Sequence, residues 1–191
     1  MNSLSKSDLV ASITAQVLKL QDEGIVTPIV LIDGRSASGK TTFAEQLQSL
    51  LFKEGETLPR VVHMDDLYEG WTGLQAGHDC LLRNVLTPVV ARKRASWQEF
   101  DWYKGERDRW REFEGGTPLI VEGCGSLSQA TAPLAHIKVW LNADERVRHD
   151  RWIMRSGHDH DEFWPVWAAQ ELEFYARERS AELADYTLEN D

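Results

Sequence analysis

One segment of the sequence carries the residue types that bind phosphate. Residues 34–41 read Gly-Arg-Ser-Ala-Ser-Gly-Lys-Thr, which matches the G-x-x-x-x-G-K-[ST] loop in full. Its glycines let the backbone curl so that successive N–H groups point at phosphate oxygens. We expect Lys40 to reach the β- and γ-phosphates of a nucleotide and the Thr41 hydroxyl to ligate Mg²⁺. The predicted nucleotide-binding residues are Gly34, Arg35, Ser36, Ala37, Ser38, Gly39, Lys40, Thr41 and Thr42.

Two carboxylates stand at the ends of short apolar segments. Asp65 follows residues 60–64, and Glu122 ends residues 118–122. In an open parallel sheet, ligands gather beyond the carboxyl ends of the strands. Asp65 is therefore placed to accept a proton from a substrate hydroxyl or to contact Mg²⁺, and Glu122 to help organise Mg²⁺. The alternatives are an aspartate that caps the next helix and a solvated acid at a strand end.

Three arginines share one face of a helical segment because they are spaced three and four apart: Arg148, Arg151 and Arg155. Such a cluster is a candidate for stabilising the charge on a phosphoryl group in transfer. Neighbouring acids, Asp144 and Glu145 among them, offer local ion pairs instead. Both interpretations stay open for any single arginine.

Aromatic residues are candidates for an acceptor site. Tyr68 follows the second strand, and Asp101 and Trp102 lie in a later aromatic segment. An aromatic wall with one carboxylate suits a hydroxylated ring, whereas packing in the core is the alternative. The alternating His and Asp residues of 158–161 could suggest zinc, but no further ligand spacing supports it, so a hinge or lid tip is favoured.

These residues must be held by alternating strands and helices. Continuous apolar runs predict buried strands, and helical periodicity predicts the helices between them. The predicted strands are 28–33, 60–64, 118–122, 136–141 and 186–189. The predicted helices are 4–23, 40–53, 78–86, 105–114, 143–156 and 161–183. This order indicates an α/β fold in three layers, with a five-stranded parallel sheet between helices.

Composition excludes several classes of protein. The chain has 191 residues, 42% of them hydrophobic, which suits one domain with a sizeable core. It has 21 Lys and Arg against 31 Asp and Glu, a net charge of −10, which disfavours nucleic-acid binding. Two cysteines make no disulfide framework. We expect a cytoplasmic protein without a membrane segment, because no apolar stretch is long enough to span a bilayer.

Together the motifs resemble the uridine kinase and phosphoribulokinase-like branch of the P-loop kinases. The matching segments are 33–42, 64–68, 119–123, 146–155 and 184–191. The resemblance implies ATP and Mg²⁺ as cofactors, Asp65 as catalytic base and Tyr68 as a wall of the acceptor site. It also assigns Glu122 as the strand-end acid and the arginines to a lid. The Phe-Asp-His-Pro substrate segment of the family is absent, so uridine itself is not supported as the acceptor.

The predicted function is an ATP-dependent small-molecule kinase formed by one domain, residues 1–191. A lid at roughly 146–170 and a substrate-side insertion at roughly 69–117 complete it. The acceptor would be a hydroxyl of a nucleoside-like or polyhydroxy metabolite, and this small molecule is the expected partner. The sequence leaves the oligomeric state open, a homo-oligomer included.

Two alternatives remain. A nucleotide or other metabolite kinase would need basic residues for a phosphorylated acceptor, and the insertion supplies Arg83, Arg92, Lys93, Arg94 and Lys104. A P-loop protein that binds ATP without transferring phosphate is the second, although it would have little use for both Asp65 and Glu122. A GTPase is disfavoured because residues 141–144 lack the lysine of an N-K-x-D element.

Overall fold

A computed structural model describes residues 5–55 and 57–191, without the side chains of residues 156, 158 and 159. The strands are β1 (Ile29–Asp33), β2 (Arg60–His63), β3 (Ala95–Asp101), β4 (Glu106–Phe113), β5 (Leu119–Glu122), β6 (Ile137–Asn142) and β7 (Tyr186–Glu189). Five of them form the predicted parallel sheet, in the order β2-β5-β1-β6-β7. The three-layer α/β fold is therefore confirmed.

Helices cover both faces of this sheet. They are α1 (Lys6–Asp22), α2 (Lys40–Gly55), α3 (Leu74–Cys80), α4 (Thr87–Val90), α5 (Glu145–Ser156), α6 (Trp164–Glu178) and α7 (Ser180–Leu183). A π-helical segment, Leu81–Leu86, joins α3 to α4. Across residues 5–55 and 57–191, none of the helices has the length and apolar character needed to cross a membrane.

The central strand β1 shows why the strands read as unbroken apolar runs. All five of its residues are buried. Alternation of side chains sends Ile29 and Leu31 into the core on one face of the sheet, where α6 packs. Val30 and Ile32 enter the core on the other face, beneath α1 and α2. A strand covered on both faces has no position left for a polar side chain except at its end.

Helix α1 lies outside the motifs but belongs to the same domain. Its first turn is capped by Ser5, whose hydroxyl accepts a hydrogen bond from the Asp8 amide at 3.2 Å. Leu9, Ile13 and Val17 are buried in the core that α1 shares with α2. The helix therefore covers α2, the helix that begins at the phosphate loop.

The insertion differs from the prediction. Residues 105–114 were expected to be helical, but β3 and β4 form a two-stranded antiparallel hairpin there. Most β4 side chains are exposed and charged, so the segment lacks the apolar alternation that marks a half-buried strand. Burial of Trp97 and Phe113 in the core holds the hairpin instead, and contacts between the strands add to it, including the ion pair of Arg111 with Glu99 at 2.7 Å. The expected helix 161–183 is likewise divided, because Arg179 adopts a left-handed conformation with φ of 57° between α6 and α7.

Leu31 tests how strongly the site depends on the sheet. We expect Leu31→Ala to lower the free energy of unfolding by about 2–5 kcal/mol, because it leaves a cavity in the central strand. Leu172→Ala, the same substitution at a residue 62% exposed on α6, should change it by less than about 0.5 kcal/mol. Urea denaturation measures both. Equal losses would contradict the placement of Leu31 in the core.

Candidate active site

The phosphate loop joins β1 to α2 and closes on its own lysine. The Lys40 ammonium donates to the carbonyl oxygens of Gly34 at 2.8 Å and Arg35 at 2.9 Å. Lys40 is buried. Burial alone would lower its pKa, but surrounding acidic groups, Glu122 and Glu171 among them, raise the pKa overall. A positive charge is thus held inside the loop.

The backbone of this loop requires special conformations. Gly34 and Gly39 have φ of 146° and 94°, and Ala37 has φ of 61°, a left-handed conformation that costs a residue with a Cβ roughly 1–2 kcal/mol. A Cβ at Gly34 would clash with the carbonyl of Leu141. The Ser38 hydroxyl is buried and has no hydrogen-bond partner in the described part of the chain. The loop therefore keeps one buried hydroxyl that is available to a ligand.

Two carboxylates that sequence reasoning missed hold the loop in place. Asp33 ends β1, is fully buried, and accepts hydrogen bonds from the Gly125 amide at 3.1 Å and the Tyr175 hydroxyl at 2.7 Å. Its carboxylate also accepts from the amides of Gly34 and Leu127. Burial raises the pKa of Asp33 to about 6, although these hydrogen bonds oppose the rise. The signal in the sequence was a lone acid as the last residue of a buried apolar strand.

Glu171 is the second of these carboxylates. It lies on α6, is buried, and accepts a hydrogen bond from the Ser36 amide at 2.6 Å. The Cys124 thiol donates to it at 3.3 Å. Glu171 is one of several acids on the predicted helix, and its spacing does not distinguish it from the others. No sequence pattern therefore indicated its role.

Glu122 ends β5 beside the start of α2. Its Oε1 atom accepts from the Thr41 hydroxyl at 3.2 Å and lies 2.7 Å from Nδ1 of His63. The hydrogen bond with Glu122 raises the pKa of His63. Hydroxyl and carboxylate oxygens are the ligands that Mg²⁺ prefers. In residues 5–55 and 57–191, no three His, Cys, Asp or Glu side chains converge as a metal site, so oxygens of a ligand would have to complete one.

Asp65 follows β2 and faces the same space. Desolvation by the surrounding protein raises its pKa, and the charge of Glu122 raises it further, against Arg155 and Lys40, which lower it. The indole N–H of Trp102 donates to the Asp65 carbonyl oxygen at 2.9 Å. A carboxylate with a raised pKa is a stronger base than an ordinary aspartate.

One cavity of about 800 Å³ connects these groups. The predicted site residues that line it are Ser36, Ala37, Gly39, Lys40, Thr41, Thr42, Asp65, Tyr68, Trp102, Glu122, Arg151 and Arg155. Gly34, Arg35 and Ser38 do not line the cavity. Gly34 and Arg35 supply the carbonyls that hold Lys40. Phosphate loop, strand-end carboxylates and aromatic residues therefore share a single space.

Two predicted residues lie elsewhere. Arg148 is 4% exposed and donates to the carbonyls of Ala143 at 3.2 Å and Ser36 at 3.3 Å, so it braces α5 against the loop. Asp101 caps the hairpin turn by accepting from the amides of Tyr103 and Lys104. Neither residue lines the cavity. The catalytic expectation for Arg148 and the substrate-binding expectation for Asp101 are corrected accordingly.

Aromatic rings close the cavity on the side away from the phosphate loop. Trp71 stacks on Phe163 with centroids 4.7 Å apart and planes inclined by 7°. It also contacts Trp102 of the hairpin end at 4.8 Å and Trp152 of α5 at 5.6 Å. Trp71 thus connects the insertion to the segment predicted as a lid. Tyr68, whose hydroxyl donates to the Cys124 carbonyl at 2.7 Å, forms the adjoining wall.

The His and Asp segment lies beside this aromatic group. His160 lines the cavity, and Asp161 lies 2.8 Å from Nε2 of His149. The side chains of His158 and Asp159 are outside the described residues. The zinc interpretation of this segment therefore stays untested for those two residues.

Comparison with known proteins bears on the fold. No protein-family model and no curated protein matches the sequence. The structure is similar to a possible uridine kinase from Bacillus stearothermophilus, with 20% identity, a TM-score of 0.67, and 95% of this chain and 98% of that chain covered. A candidate fructose transport system kinase from Silicibacter has 18% identity, a TM-score of 0.64, and coverage of 94% and 98%.

The third comparison reaches a kinase for a different small molecule. A D-glycerate 3-kinase from Cryptococcus neoformans has 13% identity, a TM-score of 0.54, and coverage of 90% of this chain and 88% of that chain. This chain has the P-loop kinase fold. The phosphate loop, Glu122 and Asp65 stand in that fold where the ends of β1, β5 and β2 meet.

Asp33 makes the stability of this P-loop kinase fold depend on pH. Its pKa is about 6 in the folded chain against an ordinary 3.8, so the folded chain binds more protons than the unfolded chain between these values. The extra affinity of the folded chain for this proton stabilises the fold. This stabilisation is fully present below pH 4 and is lost as the pH rises through 6. The expected loss is about 3 kcal/mol.

Asp33→Asn isolates this effect. The variant loses hydrogen-bond acceptors at every pH. The informative quantity is therefore how the difference in free energy of unfolding between wild type and variant changes with pH. The free energy of unfolding of the wild type minus that of the variant should fall between pH 4 and pH 6.5. Asp150→Asn, on the exposed side of α5, is the control and should show no such change. A difference that is flat or rises with pH would contradict the raised pKa.

Proposed function

We propose that the protein is a kinase that transfers the γ-phosphoryl group of ATP to a hydroxyl of a small acceptor without phosphate groups. One observation carries the proposal: a single cavity joins a phosphate loop, two strand-end carboxylates and an aromatic compartment. A protein that only binds ATP needs the first of these but not the other two. We further propose that residues 1–191 act as one kinase domain, with the lid at roughly 146–170.

Features of the loop support ATP and Mg²⁺ as its ligands. The unpartnered Ser38 hydroxyl and the left-handed backbone at Gly39, with φ of 94°, fit a bound anion. Thr41, Glu122 and Asp65 would hold Mg²⁺ together with phosphate oxygens, since all three line the cavity with oxygen atoms. When bound, the ion would neutralise charge on the phosphates.

The residues of the chain would divide the remaining work. Lys40 brings a buried positive charge to the phosphates, and Arg151 and Arg155 line the cavity from α5. Charges fixed in this way stabilise negative charge that develops in transfer. Asp65 would orient the acceptor hydroxyl and take its proton at a carboxylate oxygen. The aromatic group around Trp71 would exclude water from the reacting atoms.

The charges around the cavity argue against a phosphorylated acceptor. Arg94 is paired with Glu112 and Glu114, and Lys104 with Asp101 and Asp108. None of the five basic residues proposed for such a substrate lines the cavity: Arg83, Arg92, Lys93, Arg94 and Lys104. Walls of tryptophan and tyrosine beside Asp65 fit a nucleoside-like or polyhydroxy alcohol better. The kinases compared above are named for different acceptors, so they do not choose among these.

A screen of acceptors tests the function. The purified protein with ATP and Mg²⁺ should release ADP faster when nucleosides, sugars or vitamin alcohols are added, in one of these classes. Lys40→Ala should abolish the increase, because it removes the charge that holds the phosphates. Acceleration by nucleoside monophosphates alone would contradict the exclusion of phosphorylated acceptors. ATP binding without any acceleration by the panel would favour a regulatory ATP-binding protein.

Asp65 has a neighbour that serves as its control. Asp65→Asn should keep the Kd of ATP measured in EDTA within about twofold and lower kcat by roughly 10²–10⁴-fold, the usual contribution of a general base. Asp66→Asn changes the adjacent acid, which does not line the cavity, and should keep kcat within about threefold of the wild type. Steady-state kinetics with the acceptor identified above measures both. Unchanged turnover in Asp65→Asn would remove Asp65 as the base.

A further inference from the structure

His63 hydrogen-bonds to one of the proposed Mg²⁺ ligands but is not itself a proposed ligand. Its Nδ1 atom lies 2.7 Å from Oε1 of Glu122, the same oxygen that accepts from Thr41. Within the described residues no hydrogen bond engages Oε2 of Glu122, and this side chain lines the cavity. One oxygen of the carboxylate is therefore held by hydrogen bonds within the protein, while the other is available to a ligand.

The sheet sets the distance between the two residues. β2 and β5 are adjacent parallel strands, and their register pairs His63 with Glu122. Two residues after His63 the chain reaches Asp65, on the same cavity. The backbone of β2 thus determines where the imidazole ring stands relative to both carboxylates.

Thr41 cannot fix Glu122 in the same way. Its hydroxyl is itself a proposed Mg²⁺ ligand and is exposed to the cavity, so its hydrogen bond must adapt when an ion arrives. The hydrogen bond from His63 comes from the adjacent strand β2, and His63 is not itself a proposed ligand, so this bond needs no rearrangement. Glu122 is buried, so solvent does little to hold its rotamer.

We propose that His63 is a positioning residue that orients the Glu122 carboxylate toward bound Mg²⁺ through its Nδ1 atom. The inference rests on the proposed function, because it assumes that the loop binds ATP with Mg²⁺. Residues that hydrogen-bond to metal ligands change metal affinity by about 10–100-fold when they are replaced. His63 would act on the affinity for the metal and leave the affinity for free nucleotide unchanged.

Two substitutions separate this role from general packing. His63→Asn carries an amide nitrogen close to the place of Nδ1, and His63→Gln carries its amide one bond further out. Both remove the ring, but only asparagine can keep the hydrogen bond to Glu122. Changes that come from loss of the ring would appear in both variants.

The measurement is the Kd of ATP with excess Mg²⁺ and again with EDTA, without any acceptor. Intrinsic fluorescence is a suitable signal, since Trp71, Trp102 and Trp152 line the cavity. The ratio of the Kd in EDTA to the Kd with Mg²⁺ should be the same for the wild type and His63→Asn. His63→Gln should lose about tenfold of the Mg²⁺ enhancement, with the Kd in EDTA unchanged.

Three outcomes would overturn the inference. The same ratio in all three proteins would show that Glu122 needs no help from His63. A weaker Kd for His63→Gln in EDTA as well would show a loss of loop structure. No effect of Mg²⁺ on the wild type would remove the ion from the site and the inference with it. Failure of the acceptor screen, by contrast, would count against the proposed kinase reaction and leave this ratio intact.

Discussion

The buried carboxylate of Asp33 joins the parts of the site that must not move relative to one another. It stands at the end of β1 and binds the start of the phosphate loop, the loop after β5, and Tyr175 of α6. These segments are distant in sequence, and one carboxylate holds all three by hydrogen bonds. A carboxylate can do this because its two oxygens accept several hydrogen bonds at once. The arrangement has an energetic cost, since burial opposes the charge that makes those bonds strong.

Around this anchor the site balances buried charges of opposite sign. Lys40 lies within the field of Asp33, Glu122 and Glu171, so the acidic side chains around this lysine outnumber it. Phosphates of a nucleotide would add to that excess. In the proposed kinase, a divalent cation held by Glu122 would help to restore the balance. The geometry around Glu122 therefore matters as much as the phosphate loop itself.

The sequence predicted best those elements whose residue types are set by one local constraint, such as burial on both faces or the backbone geometry of a loop. The strands of the sheet are buried on both faces, so an unbroken apolar run such as 118–122 predicts them well. The phosphate loop was predicted because its glycines and lysine are required by backbone geometry. The hairpin was missed because its stability comes from contacts between residues distant in sequence, such as Trp97 with Phe113, which no local pattern contains. Asp101 was predicted to bind substrate because the hairpin itself was not predicted. In the structure its carboxylate accepts hydrogen bonds from amides of the hairpin turn.

Residues that act through tertiary contacts follow no local pattern at all. Arg148 shares a helical face with Arg151 and Arg155, yet it lies behind the loop while those two line the cavity. Spacing on a helix specifies which side chains are neighbours but not what faces them. Here Ser36 faces Arg148, and the cavity faces the other two. Arg148 therefore fixes α5 to the phosphate loop, while Arg151 and Arg155 supply charge to the cavity. Because all three stand on one helix, the position of the two cavity arginines depends on the buried one.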